Sequence, residues 1–335
     1  MGIDLPLIWA VIILCGVMVY VMMDGFDLGI GLLFPFIADK DDRDVMMNTV
    51  APVWDGNETW LVLGGAGLLV GFPLAYSVIL SALYLPIVFM LLGLIFRGVA
   101  FEFRFKASEQ HRHWWDKAFI GGSTVAAFSQ GVILGAYIDG IPVVERGYAG
   151  GALDWLTPFS LFTGIGLCVA YALLGGTWLI LKTGGSLRAR MIGLTRPVSW
   201  ALFAVIIAVS VWTPLAHPAV ARRWFSLPTL LWFSPVPVLV ALTFWKLRQS
   251  LHSEPRAGPF VLSLCLVFLG YTGFAISVWP NVVPPSISIR DAAGPPQSLG
   301  FALVGALLVI PMILGYTAWG YYVFRGEVDA SRGYH

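Results

Sequence analysis

The chain has 335 residues, of which 58% are hydrophobic and 12% charged, with a net charge of +1 and a mean hydropathy of +0.81. A typical soluble domain carries about 25% charged residues, so this balance excludes a soluble globular protein, points to no nucleic-acid partner and describes an integral membrane protein. Its apolar runs are continuous rather than alternating, which predicts an all-α polytopic chain and not a closed barrel.

Taking roughly 20 apolar residues as one crossing, nine transmembrane helices are predicted, at about 7–37, 52–72, 76–98, 118–138, 158–181, 197–215, 229–247, 259–279 and 299–324. They make one membrane domain over 1–335, with spans 1–4 at about 7–138, spans 5–8 at about 158–279 and the ninth at 299–324. The first run lacks a basic leader and is too long for a cleavable signal. Its 31 residues would reach ~46 Å, so it is expected either to tilt or to loosen near Gly25, Gly29 and Gly31. The Gly25/Gly29 and Gly67/Gly71 spacings would allow close helix contact.

Both helices of this first hairpin carry acids. The first reads MMDGFDLGIG, with Asp24 and Asp27; the second opens WDGNETWLVLGG, with Trp54, Asp55, Asn57, Glu58 and Thr59. A carboxylate at the centre of a lone membrane helix costs roughly 2.5–3.5 kcal/mol on insertion scales. Each pair is spaced i, i+3 and shares a helix face, so the two pairs can face each other. Asp24 and Asp27 lie about 16–21 Å from the inner edge if Ala38 marks it.

Further along, the loop FEFRFKASEQHRHWWDK is basic and aromatic and is expected on lipid headgroups. The segment WPNVVPPSISIRDAAGPPQS holds too many prolines for a helix and is expected as an ordered extended loop. GYTGFAI at Gly270 and GYTAWGY at Gly315 echo each other without establishing a repeat. With the N-terminus outside, sixteen of the twenty Lys and Arg fall on the inner side, Arg332 among them. The positive-inside rule then predicts an outer N-terminus and a cytoplasmic C-terminus.

Cys15, Cys168 and Cys265 are single and far apart, so no disulfide or metal site is expected. His111, His113, His217, His252 and His335 lie in loops or at ends, which argues against a bis-histidine haem within this chain. No Walker loop, dinucleotide fingerprint or nucleophile triad is present. What remains is the acid cluster, which suits a proton relay or simply fixes packing. Asp55 and Glu58 also sit in the first turns after Pro52, where the helix dipole favours negative charge. Asn57, Thr59 and Thr49 are candidate hydrogen-bonding partners, and Arg97 is the basic residue near enough to pair with the acids.

DGFDLGIG in the first span and APVWDGNETWLVLGG opening the second resemble subunit II of the cytochrome bd-type quinol oxidases. The likeness continues through LIFRGVAFEFR, VWPNVVPPS and LGYTAWGYY, while about 140–260 matches mainly by hydropathy. The short loop after the sixth span resembles the shorter, cyanide-insensitive branch. The resemblance implies two four-helix bundles plus a peripheral ninth helix. It implies a heterodimer with subunit I, which carries two haem b and one haem d and oxidises quinol while reducing oxygen to water in aerobic respiration. It further implies a bacterial inner-membrane location, no haem held by this chain alone, a structural quinone in some members, and room for a small single-helix accessory subunit beside the membrane lipid. By motif, Asp24 and Asp55 would line a path from the inner side toward the haems. Other members often carry Gln where this chain has Glu58. The competing readings are a stand-alone proton-coupled secondary transporter, against which stands the lack of a clear inverted repeat, and a purely structural assembly subunit.

Overall fold

A computed structural model describes residues 4–253 and 256–328; Arg332 and His335 lie outside the described residues. The first helix, α1 (Leu5–Leu33), starts where the Asp4 carboxylate accepts the Leu7 backbone N–H at 3.3 Å, with Pro6 in its first turn. It runs without a break through Gly25, Gly29 and Gly31 and ends in a 3-10 turn over Phe34–Phe36. The expected loosening at these glycines is not found, because they serve tertiary packing instead. A Cβ on Gly25 would lie 2.7 Å from the Tyr171 ring, one on Gly29 would overlap the Tyr171 carbonyl oxygen, and one on Gly31 would overlap Ser123. Close backbone approach at small residues is how membrane helices gain packing energy without a hydrophobic driving force.

A short amphipathic helix, α2 (Lys40–Asn48), follows, capped by Asp39 and burying Val45, Met46 and Met47. Next come α3 (Trp54–Gly71), α4 (Pro73–Ala82), α5 (Tyr84–Arg104) and α6 (Arg112–Asp139). The third predicted span is therefore two helices that meet at Leu83. Pro86, in the first turn of α5, has no N–H to continue the ladder from Ala82. After α6, strands β1 (Val143–Val144) and β2 (Gly147–Tyr148) form a hairpin whose two turn residues, Glu145 and Arg146, have φ of 48° and 68°, as a two-residue primed turn requires. Helices α7 (Pro158–Lys182) and α8 (Gly185–Ala216) precede two short helices, α9 (Pro218–Phe225) and α10 (Thr229–Phe233). The chain continues through α11 (Pro235–Ser250) and α12 (Gly258–Val278) to strands β3 (Asn281–Val283) and β4 (Ile287–Ser288), and then α13 (Pro296–Val323).

Among the described residues, eight helices are long and apolar enough to cross a membrane. The acid-bearing α3 is not one of the eight. The main core joins α1, α5, α6, α7, α8, α11 and α12, with α1 packed on α3, α6 and α7. A second core around Trp9, Phe72, Ile141, Val283 and Leu299 closes the far end. There the Tyr137 hydroxyl donates to the Val282 carbonyl at 2.5 Å, and the Ile141 N–H to the Pro284 carbonyl at 2.9 Å. The proline-rich segment is non-helical as expected, and β3 and β4 order it.

The segment expected as a basic loop is a loop only in its middle. Most of FEFRFKASEQHRHWWDK is helical, belonging to α5 and α6, and Arg104 is fully buried. Arg104 Nε donates to Asp116 Oδ1 at 2.5 Å and Arg104 also pairs with Asp44; Arg43 reaches Asp116 at 2.9 Å and Arg112 reaches Asp44 at 3.2 Å. Two acids absorb three arginines, so these side chains bind α2 to α5 and α6 rather than facing lipid. Beyond α13 the chain is clasped to the α7–α8 turn. Lys182 Nζ donates to the Phe324 and Gly326 carbonyls at 2.5 and 3.3 Å, the Val328 N–H donates to the Lys182 carbonyl at 2.8 Å, and Arg188 pairs with Glu327.

Candidate functional site

The acids of α1 meet α3 and α5 inside the apolar body. Arg97, one of the largest fully buried side chains, comes from α5. Its Nη1 donates to Asp24 Oδ1 at 2.7 Å and its Nη2 donates to Glu58. Asp24 and Asp27 are 0% exposed, whereas the Glu58 side chain keeps 27% of its surface. The guanidinium carbon lies 5.9 Å from the Trp54 ring, which stacks on Phe101 at 5.2 Å. The planar guanidinium fork suits this task, because two acids on different helices must be held at once.

Asp27 belongs to a neighbouring branch. Asn57 Nδ2 donates to Asp27 Oδ2 at 2.8 Å, and the Tyr321 hydroxyl donates to Asn57 Oδ1 at 2.9 Å. The site thereby reaches α13, the most exposed long helix. Phe26 stacks on Trp178 at 4.3 Å, and both rings meet Tyr321 edge-on, which walls this branch on one side. Asp24 Oδ2, Asp27 Oδ1 and Arg97 Nε are buried without a protein partner.

Of the residues expected from sequence, Asp24, Asp27, Asn57, Glu58, Trp54 and Arg97 come together. Asp55 does not: it is exposed on the surface of the chain and forms no side-chain bond to the cluster. Thr59 turns its hydroxyl back to the Asp55 carbonyl at 3.4 Å, and the Thr49 hydroxyl donates to the Met46 carbonyl while accepting from Trp178 Nε1. Neither threonine touches an acid. Tyr321 was not foreseen, although its motif GYTAWGYY had drawn notice. Among the described residues no set of three His, Cys, Asp or Glu is placed to hold a metal ion. Of the described histidines, His217 lies 3.1 Å from Asp139, His111 and His252 sit in exposed turns and His113 is exposed in the first turn of α6, so no two of them are placed inside the helical body to hold a haem.

Chemically, three carboxylates gather around one guanidinium. Arg97 pairs directly with Asp24 and Glu58, while Asp27 is held by Asn57. Breaking a buried pair by removing one partner costs about 3–5 kcal/mol.

The family model described as cytochrome bd terminal oxidase subunit II matches residues 5–324. The chain is 27% identical over 333 residues to the cytochrome bd ubiquinol oxidase subunit 2 of Bacillus subtilis strain 168, covering 96% of each chain. It is 28% identical over 374 aligned positions to the cytochrome bd-I ubiquinol oxidase subunit 2 of Escherichia coli strain K12, covering 99% of this chain and 98% of that one. A chain in the solved structure of the bd oxidase from Geobacillus thermodenitrificans shares the fold, with a TM-score of 0.80 at 16% identity over 96% of this chain and 99% of the other.

Proposed function

The chain belongs to the cytochrome bd terminal oxidase subunit II family, and on that premise we propose that it is the subunit of a quinol:oxygen oxidoreductase that holds no haem itself, supports the haem-bearing subunit I and lines a proton path toward it. The observation that carries the proton role is that buried Asp24 and half-buried Glu58 share Arg97, with buried Asp27 beside them on Asn57. Glu58, partly exposed, is the entrance to that set, and the unpartnered Asp24 Oδ2 and Asp27 Oδ1 are its free acceptors.

In this reading α3 is the ninth crossing, and the spans form two four-helix bundles with α13 at the periphery. The chain sits in the bacterial inner membrane with its N-terminus outside. The placement of Asp55 supports a partner on the α3 side. An exposed carboxylate on a membrane helix costs roughly 2.5–3.5 kcal/mol against lipid, and a protein surface with donors or water removes that cost. On α13, Phe301, Met312 and Tyr316 are 85%, 73% and 70% exposed, and the same interface or lipid covers them.

Asp24→Asn and Glu58→Gln test the relay, since each amide keeps the shape of its acid but carries no proton. A relay predicts normal assembly and haem spectra in the complex with lower oxygen consumption per haem. A purely structural role predicts weaker assembly with unchanged turnover per haem, and that outcome would leave only the scaffold reading.

A further inference from the structure

A second polar chain crosses the buried body beside Asp24, built from residues that take no part in the Arg97 ion pairs. Tyr20 on α1, Gln130 on α6 and Tyr171 on α7 are joined in order. The Tyr171 hydroxyl donates to Gln130 Oε1 at 2.7 Å, and Gln130 Nε2 donates to the Tyr20 hydroxyl oxygen at 2.7 Å. Tyr20 is 3% and Tyr171 0% exposed. Tyr20 stands one helical turn before Asp24 on the same face of α1, and Asp24 Oδ2 is buried there with no hydrogen-bond partner. The glycine of the DG pair serves this chain, because the Tyr171 ring lies across Gly25.

The direction of the chain follows from donor and acceptor counting. A primary amide has one donor end and one acceptor end. With Oε1 accepting from Tyr171 and Nε2 donating to Tyr20, the Tyr20 oxygen is already an acceptor and its single proton is left for Asp24. The opposite amide orientation would draw the Tyr20 proton to Gln130 and leave Asp24 Oδ2 with no donor. We propose that Gln130 is a positioning residue: held by Tyr171, it keeps the Tyr20 hydroxyl aimed at Asp24, giving this carboxylate a second donor beside Arg97. The proposal rests on the relay reading of Asp24.

Gln130→Glu provides the test, made on the assembled oxidase and read as oxygen consumption per haem against pH. A neutral carboxylic acid at this position offers one donor and one acceptor, as the amide does. Its ionised form is acceptor-only and would take the protons of both tyrosines. The groups facing this position are Tyr20, backed by Asp24 and Arg97, and Tyr171, beside Cys168. The expected result is near-normal turnover in the acid range and a fall of about two- to tenfold on raising the pH, the worth of one buried hydrogen bond, beyond any change in the parent enzyme. A profile parallel to the parent's would overturn the proposal. Should that variant fail to assemble, Tyr20→Phe, Tyr171→Phe and their combination decide. If Tyr171 acts only through Tyr20, the double variant turns over like Tyr20→Phe alone; additive losses would overturn the proposal. Asp24→Asn, measured alongside, separates the two claims. Normal turnover in that variant defeats the relay and the positioning role with it. Impaired turnover together with a parent-like Gln130→Glu profile defeats the positioning role alone.

Discussion

Replacing Arg97 with Gln removes the cation that pairs with Asp24 and Glu58 and leaves a shorter, uncharged amide. Arg97 is 0% exposed and bonded at 2.7 Å to Asp24, itself fully buried. Removing one partner of a buried pair costs about 3–5 kcal/mol, mostly from the charge left behind. Glu58, with 27% of its side chain exposed, can be partly solvated, which places the loss near the lower end, about 3 kcal/mol. At roughly 2–4 °C per kcal/mol for larger domains, the melting temperature of the purified complex should fall by about 6–12 °C. Neutralising the orphaned acids should reverse much of this: Arg97→Gln combined with Asp24→Asn and Glu58→Gln is expected within about 1–2 kcal/mol of the parent, because uncharged polar groups can bond one another. The assay is thermal unfolding followed by near-ultraviolet absorbance or haem loss. A melting temperature unchanged in Arg97→Gln would show that the cluster is open to bulk water and would refute the buried-pair argument.

Gly29→Ala should cost about 1–3 kcal/mol through overpacking against the Tyr171 carbonyl, seen as a lower melting temperature with normal haem spectra in whatever complex assembles. Arg104→Ala should loosen α2 from the α5–α6 junction and cost about 3–5 kcal/mol, since Asp116 is 9% exposed and would lose a buried partner; hydrogen exchange across 40–48 reads the loosening. Lys182→Met should release the segment after α13, and faster tryptic cleavage at Arg325 checks it. Burial, with Asp39 and Asp41 adding and Arg190 opposing, holds the Asp42 carboxyl above its ordinary value. An acid raised in the folded state binds its proton more tightly there, so its contribution favours folding as pH falls through the carboxylate range and opposes it above that range. Asp42→Asn should flatten this part of the stability–pH curve without lowering stability at neutral pH.

Much of the site could be read in the sequence because burying charge is costly enough to leave a mark. Asp24, Asp27 and Glu58 stood out as acids in apolar runs, and Arg97 as the base within reach, and the four meet in the folded chain. Asp55 shows the limit of that reasoning. Spacing places it on the face of Glu58 within a helix, but i, i+3 positions differ by about 60° around the axis, enough to leave one residue paired and the other at the surface. Gln130, Tyr20 and Tyr171 escaped notice because tyrosines and a single amide are unremarkable in membrane helices, and only tertiary placement joins residues 41 and 110 positions apart. The glycines of the first helix were noticed, yet their use depends on the helices opposite them. Where a basic loop was expected, the acids are Asp116, 12 residues from Arg104 in the same segment, and Asp44, 60 residues away on α2.

The clasp beyond α13 bears on the order in which the molecule is made. Lys182 closes α7, yet both carbonyls that hold it are synthesised more than 140 residues later. Until then its ammonium must rest on water or lipid phosphate, and the α7–α8 turn stays accessible from the aqueous side. Translation at about 5–20 residues per second leaves that interval at roughly 7–28 seconds. During this time the acid clusters of α1 and α3 can already be paired with α5, while Asn57 awaits Tyr321. The helix that finishes the site thus also seals its own docking, so a nascent chain stalled before α13 exposes two unmet polar groups at once, a mark by which a membrane protease could tell an unfinished subunit from a finished one.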